Sequence, residues 1–113
     1  MAIKLYHNPR CSKSRATLAL LVEQGIEPEI IEYLNDPPNI GTLKQLQTAL
    51  DCAAIDMVRT KEAPFRENGL ESASDKELFD AIIQFPILLE RPIVLNGSRA
   101  AIGRPPENIL EIL

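Results

Sequence analysis

Ile3-Lys4-Leu5-Tyr6-His7-Asn8-Pro9-Arg10-Cys11-Ser12-Lys13-Ser14-Arg15 is the stretch on which this chain turns. Ile3 to His7 alternates as a short strand, Asn8-Pro9 is a turn signal, and the residues from Ser12 onward carry a helical pattern. Cys11 sits between strand and helix. A thiol just ahead of a first helical turn faces backbone N–H groups with no intrahelical partner and the positive end of the helix dipole, both of which favour thiolate. His7, Arg10, Lys13 and Arg15 surround it with cationic or protonatable side chains. Such surroundings lower a cysteine pKa from about 8.5 towards roughly 3.5 to 7.5. An isolated cysteine is more often inert packing, but the polar turn around Cys11 is a poor setting for a core thiol, so Cys11 reads as a nucleophile.

Spacing limits the chemistry. Three residues beyond Cys11 stands Ser14, so the dithiol of disulfide exchange is absent. Arg15 follows Cys11 after three intervening residues, too soon for the five-residue loop of cysteine phosphatases. On a helix Arg15 lies one turn beyond Cys11 on the same face with Ser14 close by, a placement that suits holding an anion over the sulfur.

With 113 residues and 45% apolar content, the chain reads as a single domain spanning residues 1–113. The absence of a signal pattern or a 20-residue apolar run predicts a soluble cytoplasmic protein with no membrane partner. A net charge of −4, no basic block and no tryptophan speak against nucleic-acid binding. One histidine and two distant cysteines supply no metal-ligand spacing, and the glycines form no phosphate-binding or dinucleotide fingerprint. Cys52, in Leu50-Asp51-Cys52-Ala53-Ala54, reads as a small apolar residue and not as a disulfide partner for Cys11.

Further along, a helix over 12–24 ends at Gly25, and Glu29 to Leu34 is a second strand, parallel to the first across a strand-helix-strand unit and ended by Pro37-Pro38. That topology puts Cys11 beyond the carboxyl end of the first strand, where open sheets place ligands. Leu43, Leu46 and Leu50 mark an amphipathic helix over 42–50, and Ile55 to Val58 is a helical turn delivering Arg59 into a charged loop. Ser74-Asp75-Lys76-Glu77 is a capping box that opens a helix over 75–84, stopped by Pro86. Pro92 to Leu95 and Ala100 to Ile102 form a hairpin through Asn96-Gly97, and Pro105-Pro106 open a closing helix over 107–113. The sum is an α/β fold of thioredoxin-like layout, a four-stranded mixed sheet flanked by helices. In that layout a proline opening the third strand is commonly cis and faces the reactive cysteine, and Arg91-Pro92 occupies this place.

With these residues assembled, the chain resembles the glutaredoxin-coupled arsenate reductase family in a short form. The resemblance rests on the segment 6–15, Tyr33-Leu34 before Pro37-Pro38, Val58-Arg59, the run from Pro86 to Val94, and Gly103-Arg104-Pro105-Pro106-Glu107. It implies that Cys11 attacks arsenate, that His7 or Ser14 helps hold the thiolate, and that Arg59, Arg91 and Arg104 bind the oxyanion beside Pro92. It also implies no bound cofactor, with glutathione as co-substrate and glutaredoxin as partner of a monomer. A missing partner thiol agrees with this, because Cys11 must borrow one. Guanidinium forks suit a tetrahedral oxyanion and offset its repulsion of a thiolate. Two rival readings share the fold: a regulator that binds RNA polymerase, against which Ser14 replaces the second cysteine, and a general glutathione-linked thiol oxidoreductase, which leaves the three arginines little to do.

Overall fold

The strand before Cys11, the helix after it and a β-hairpin near Asn96-Gly97 are all formed. The computed structural model of the chain describes residues 2–113. These fall into two compact units, one made of the chain up to Asp36 together with Arg91–Leu113, the other of Pro37–Glu90.

In the first unit β1 (Lys4–Tyr6) leads into α1 (Ser12–Glu23) and β2 (Glu29–Ile31), and β3 (Ile93–Asn96) and β4 (Arg99–Ile102) complete a sheet of order β2-β1-β3-β4. β1 runs parallel to β2 and antiparallel to β3, and β3 and β4 are antiparallel. The sheet is thus the mixed, four-stranded, helix-flanked thioredoxin-like one. β2 is shorter than its apolar run, because Tyr33 and Leu34 leave the ladder for a turn in which Asp36 N–H donates to Glu32 O at 3.0 Å. The β3–β4 loop is Gly97-Ser98, one residue later than Asn-Gly suggests. Asn96 stays in the ladder opposite Arg99 while its amide donates to Ile112 O at 2.6 Å, and Gly97 adopts φ 64°.

One core of this unit gathers Leu5 and Val94 from the sheet, Leu21 from α1, and Ile109 and Ile112 from the closing segment. That segment, Pro106–Ile112, is a 3₁₀ helix and not the α-helix that its prolines suggest. Its two buried residues are three apart, which matches the three-residue turn of a 3₁₀ helix. On α1, Leu21 is wholly buried whereas the neighbouring Val22 is 62% exposed.

The second unit is helical: α2 (Ile40–Leu50), a 3₁₀ turn at Ala54–Met57, α3 (Ala63–Glu67), a 3₁₀ turn at Leu70–Ser72, α4 (Asp75–Gln84) and a last 3₁₀ turn at Pro86–Leu88. α2 starts two residues earlier than its leucines indicate because Asn39 caps it, accepting from Thr42 N–H at 2.8 Å. The capping box of α4 is formed in both directions, Glu77 N–H to Ser74 Oγ and Ser74 N–H to Glu77 Oε1. Leu43, Leu46, Met57, Leu78, Phe79, Ile82 and Leu88 are buried. α3 has no leucine periodicity to announce it, being a single turn with Pro64 near its start and Phe65 buried.

Side-chain burial on α1 sets a direct test. Leu21→Ala is expected to cost about 2 to 5 kcal/mol in urea unfolding, with a cavity left behind. Val22→Ala should stay within about 0.5 kcal/mol.

Candidate active site

Cys11 is the N-cap of α1, with extended backbone (φ −90°, ψ 123°) and no side-chain capping bond of its own. The turn before it is built by Asn8, whose side chain accepts Arg10 N–H at 3.0 Å and whose carbonyl accepts Cys11 N–H at 3.0 Å. The sulfur therefore sits where the first-turn N–H groups of α1 point outward. Burial pushes the Cys11 thiol up, but hydrogen bonds from Ser14 N–H, the Arg91 side chain and Lys13 N–H, with the Arg91 charge, outweigh it and leave the pKa lowered. Cys52 goes the other way, raised by burial and by Asp56 and Asp51.

Ser14 contributes to the thiolate through its backbone. Its hydroxyl is fully buried and turned away, accepting Asn8 N–H at 3.1 Å and lying 2.6 Å from His7 Nδ1. A hydroxyl carries one proton and two acceptor sites, so the Ser14 hydroxyl bonds His7 Nδ1 as donor or as acceptor according to the ring tautomer. Desolvation lowers the His7 pKa, with Glu32 opposing and Arg15 adding to the drop. The lowered pKa favours the neutral ring, hydrogen-bonded to Ser14, over a cation beside the sulfur. Arg15 also departs from expectation. Its guanidinium folds back to donate to Pro9 O at 2.9 Å, because the exposed turn offers a carbonyl within reach.

Arg91 and Arg104 come to the sulfur from the two ends of the β3–β4 hairpin. Arg104 approaches Cys11 Sγ to 3.7 Å and donates from Nε to Arg91 O at 2.7 Å. At 3.7 Å Arg104 makes a long N–H···S contact, and Arg91 is the guanidinium that lowers the thiol pKa. Arg91-Pro92 is cis, as its place before β3 predicts, and Arg104-Pro105 is cis as well. Cys11, His7, Ser14, Arg91 and Arg104 thus share the first unit. Arg59 belongs to the second, where its guanidinium pairs with Glu62 at 3.1 Å and Glu90 at 3.2 Å. Among the described residues no group of three or more His, Cys, Asp or Glu side chains could hold a metal ion, and no helix is long and apolar enough to cross a membrane. The turn that Asn8-Pro9 signals in the sequence is thus built by the Asn8 side chain and carbonyl.

The ArsC family model matches residues 6–112, from the end of β1 through the closing helix. The chain belongs to the ArsC family. Its relatives include a protein named arsenate reductase in Neisseria meningitidis serogroup B, 48% identical across 98% of this chain and 97% of that one. The Escherichia coli K12 protein YfgD, named as uncharacterized, is 47% identical across 98% of this chain and 96% of its own length. Among solved structures, arsenate reductase from Vibrio cholerae superposes with a TM-score of 0.96 at 47% identity, covering 100% of this chain and 98% of that one. This ArsC member has the fold of that structure over its whole described length.

The electrostatics generate two expectations. Alkylation of Cys11 by iodoacetamide should show its pH inflection below about 8.5, and Cys52 above it. Arg91→Ala should raise the Cys11 inflection more than Arg104→Ala does; an order reversed or equal would contradict the assignment. For His7 the lowered folded pKa means that the unfolded chain binds a proton more readily. Stability is then full above the unfolded value of about 6.5 and falls as pH drops through it towards the folded value. His7→Asn, which keeps an acceptor near the Nδ1 position, should flatten the pH dependence of urea unfolding below 6.5 relative to wild type, taking about 6.5 as the free histidine value.

Proposed function

We propose that this chain is an arsenate reductase of the glutaredoxin-coupled type, a single cytoplasmic domain acting as a monomer, with Cys11 as nucleophile and glutathione as co-substrate. What carries the reading is one lowered-pKa sulfur on which two guanidinium groups converge, with a serine where a dithiol enzyme has its second sulfur. A thiolate and an arsenate oxyanion repel each other; Arg91 and Arg104 supply the positive charge that lets them meet. Relatives named arsenate reductase, 48% and 47% identical, support the choice of oxyanion.

In the reaction the Cys11 thiolate attacks arsenic and an arsenate oxygen leaves as water after protonation, giving a sulfur–arsenic(V) bond. The first-turn N–H groups of α1 and the two arginines stabilise the negative oxygens during attack. Glutathione and then a glutaredoxin thiol provide two electrons, reducing arsenic(V) to arsenic(III). The two external thiols depart as a mixed disulfide, hydrolysis frees arsenite, and Cys11 returns as thiolate. In this scheme His7 and Ser14 shape the turn that presents the sulfur, and Pro92 borders the substrate.

The assay is arsenate-dependent NADPH consumption with glutathione, glutaredoxin and glutathione reductase. Cys11→Ser should abolish turnover and Cys52→Ser should retain most of it. Arg91→Lys and Arg104→Lys, which keep charge but lose the fork, should lower kcat/KM by about 10- to 150-fold, the equivalent of a lost charge-assisted contact. No arsenate-dependent turnover in the wild-type protein, together with capture of RNA polymerase, would replace this reading by the regulatory one.

A further inference from the structure

Three segments carry the site in the first unit: α1 with Cys11, the Arg91-Pro92 entry to β3, and the Gly103-Arg104 exit from β4. They meet at one atom, the α-carbon of Gly103. Gly103 N–H donates to Pro92 O at 2.9 Å, continuing the β3–β4 ladder by one bond, and Arg104 N–H then turns back to Ile102 O at 2.9 Å. A β-carbon built on Gly103 would lie 2.8 Å from Cγ of Pro92 and closer still to Oγ1 of Thr17, with Thr17 Cγ2 at 3.4 Å. Gly103 does not have the positive φ that Gly25, Gly69 and Gly97 have, so space and not backbone conformation demands glycine here.

All three residues lie inside the fold, so a shift at any of them displaces its neighbours. Gly103 and Pro92 are buried, and Thr17 is fully buried on α1, two turns along the helix from Cys11. Its hydroxyl has no hydrogen-bond partner among the described residues. A buried hydroxyl without a partner is costly, so Thr17 is not held there by a hydrogen bond; its two γ atoms fill the space against Gly103. Directly beside this contact, Arg91 precedes Pro92 and Arg104 follows Gly103, and Arg104 Nε bonds Arg91 O across the gap.

We propose that Gly103 is a positioning residue whose missing side chain lets α1 and the two arginine-bearing segments close on one another, thereby setting Arg91 and Arg104 against the Cys11 sulfur. One methyl group at this point would act as a wedge between the helix bearing the nucleophile and both segments bearing its cations. The assignment concerns the thiolate and stands whether or not arsenate is the substrate; only its turnover arm rests on the reductase reading.

The test compares Gly103→Ala, Thr17→Ala and the double variant in a Cys52→Ser background, following Cys11 ionisation by thiolate absorbance against pH. Gly103→Ala should move the inflection up towards the ordinary value of about 8.5 and lower kcat/KM for arsenate by about 10- to 100-fold. Removing the Thr17 γ atoms opens one side of the wedge, so the double variant should titrate nearer to Thr17→Ala than Gly103→Ala does to its parent. Leu21→Ala, destabilised in the same core but away from the contact, should leave the inflection in place. Should Gly103→Ala fail to fold, Thr17→Ala and the double variant carry the comparison, with Pro92 as the remaining obstruction and a smaller upward shift expected. The proposal is overturned if Gly103→Ala keeps the parental inflection, if, where Gly103→Ala does not fold, the double variant titrates no higher than Thr17→Ala, or if Leu21→Ala shifts the inflection equally. An upward shift in Gly103→Ala alongside a wild-type protein that does not turn over arsenate supports the positioning role and overturns the reductase reading instead.

Discussion

The buried hydroxyl of Ser14 ties the end of β1 to the first turn of α1, and the geometry of the reactive sulfur depends on that tie. By accepting from Asn8 N–H and sharing a hydrogen bond with His7 Nδ1, Ser14 commits its hydroxyl to the strand end. Its backbone N–H is thereby left to point at Cys11 alongside that of Lys13. These N–H groups have no intrahelical acceptor, so a thiolate at the N-cap satisfies them where a neutral thiol would do so weakly. The strand-turn-helix stretch is thus a rigid mount, and the loss of solvation on partial burial of the sulfur is offset by groups fixed before any substrate arrives.

Onto that mount the sheet brings charge. β1 lies next to β3 in the order β2-β1-β3-β4, so the residues at the open ends of the β3–β4 hairpin are carried to the carboxyl end of β1. Arg91 and Arg104 occupy those ends, and the bond from Arg104 Nε to the Arg91 carbonyl fixes the Arg104 guanidinium relative to the Arg91 backbone. Two arginines beside a thiolate would repel each other without the anion between them. Their convergence places positive charge beside the Cys11 sulfur, where it favours the thiolate. Arg59 has a different setting, shared between Glu62 and Glu90, which orient its guanidinium within the helical unit.

Much of this was legible in the residues themselves. Cys11 between an Asn-Pro turn and a helix, the Ser74 capping box and the Asn96-Gly97 pair each encode local structure through side chains that bond within a few residues. α4 accordingly has the bounds its cap and Pro86 imply. Cys11 activation was legible for the same reason, since a helix N-terminus is a local field. Where local signals were silent or shared, the residues were less informative: α3 is one turn with no periodicity to detect, and the closing segment satisfies α and 3₁₀ patterns alike until Ile109 and Ile112 are buried together.

What the sequence by itself determined is thus the order of elements, the thiol at the start of α1 and the absence of a second thiol three residues on, because each depends on neighbours in the chain. Only the tertiary structure decided which cation serves the sulfur. Arg15, one helical turn away, turns to the Pro9 carbonyl, while Arg91 and Arg104, some eighty and ninety residues along the chain, reach Cys11. It also decided that the His7 ring favours its neutral form and that Gly103 admits no side chain. Both follow from burial among groups distant in sequence, and burial is a property of packing that no local pattern encodes.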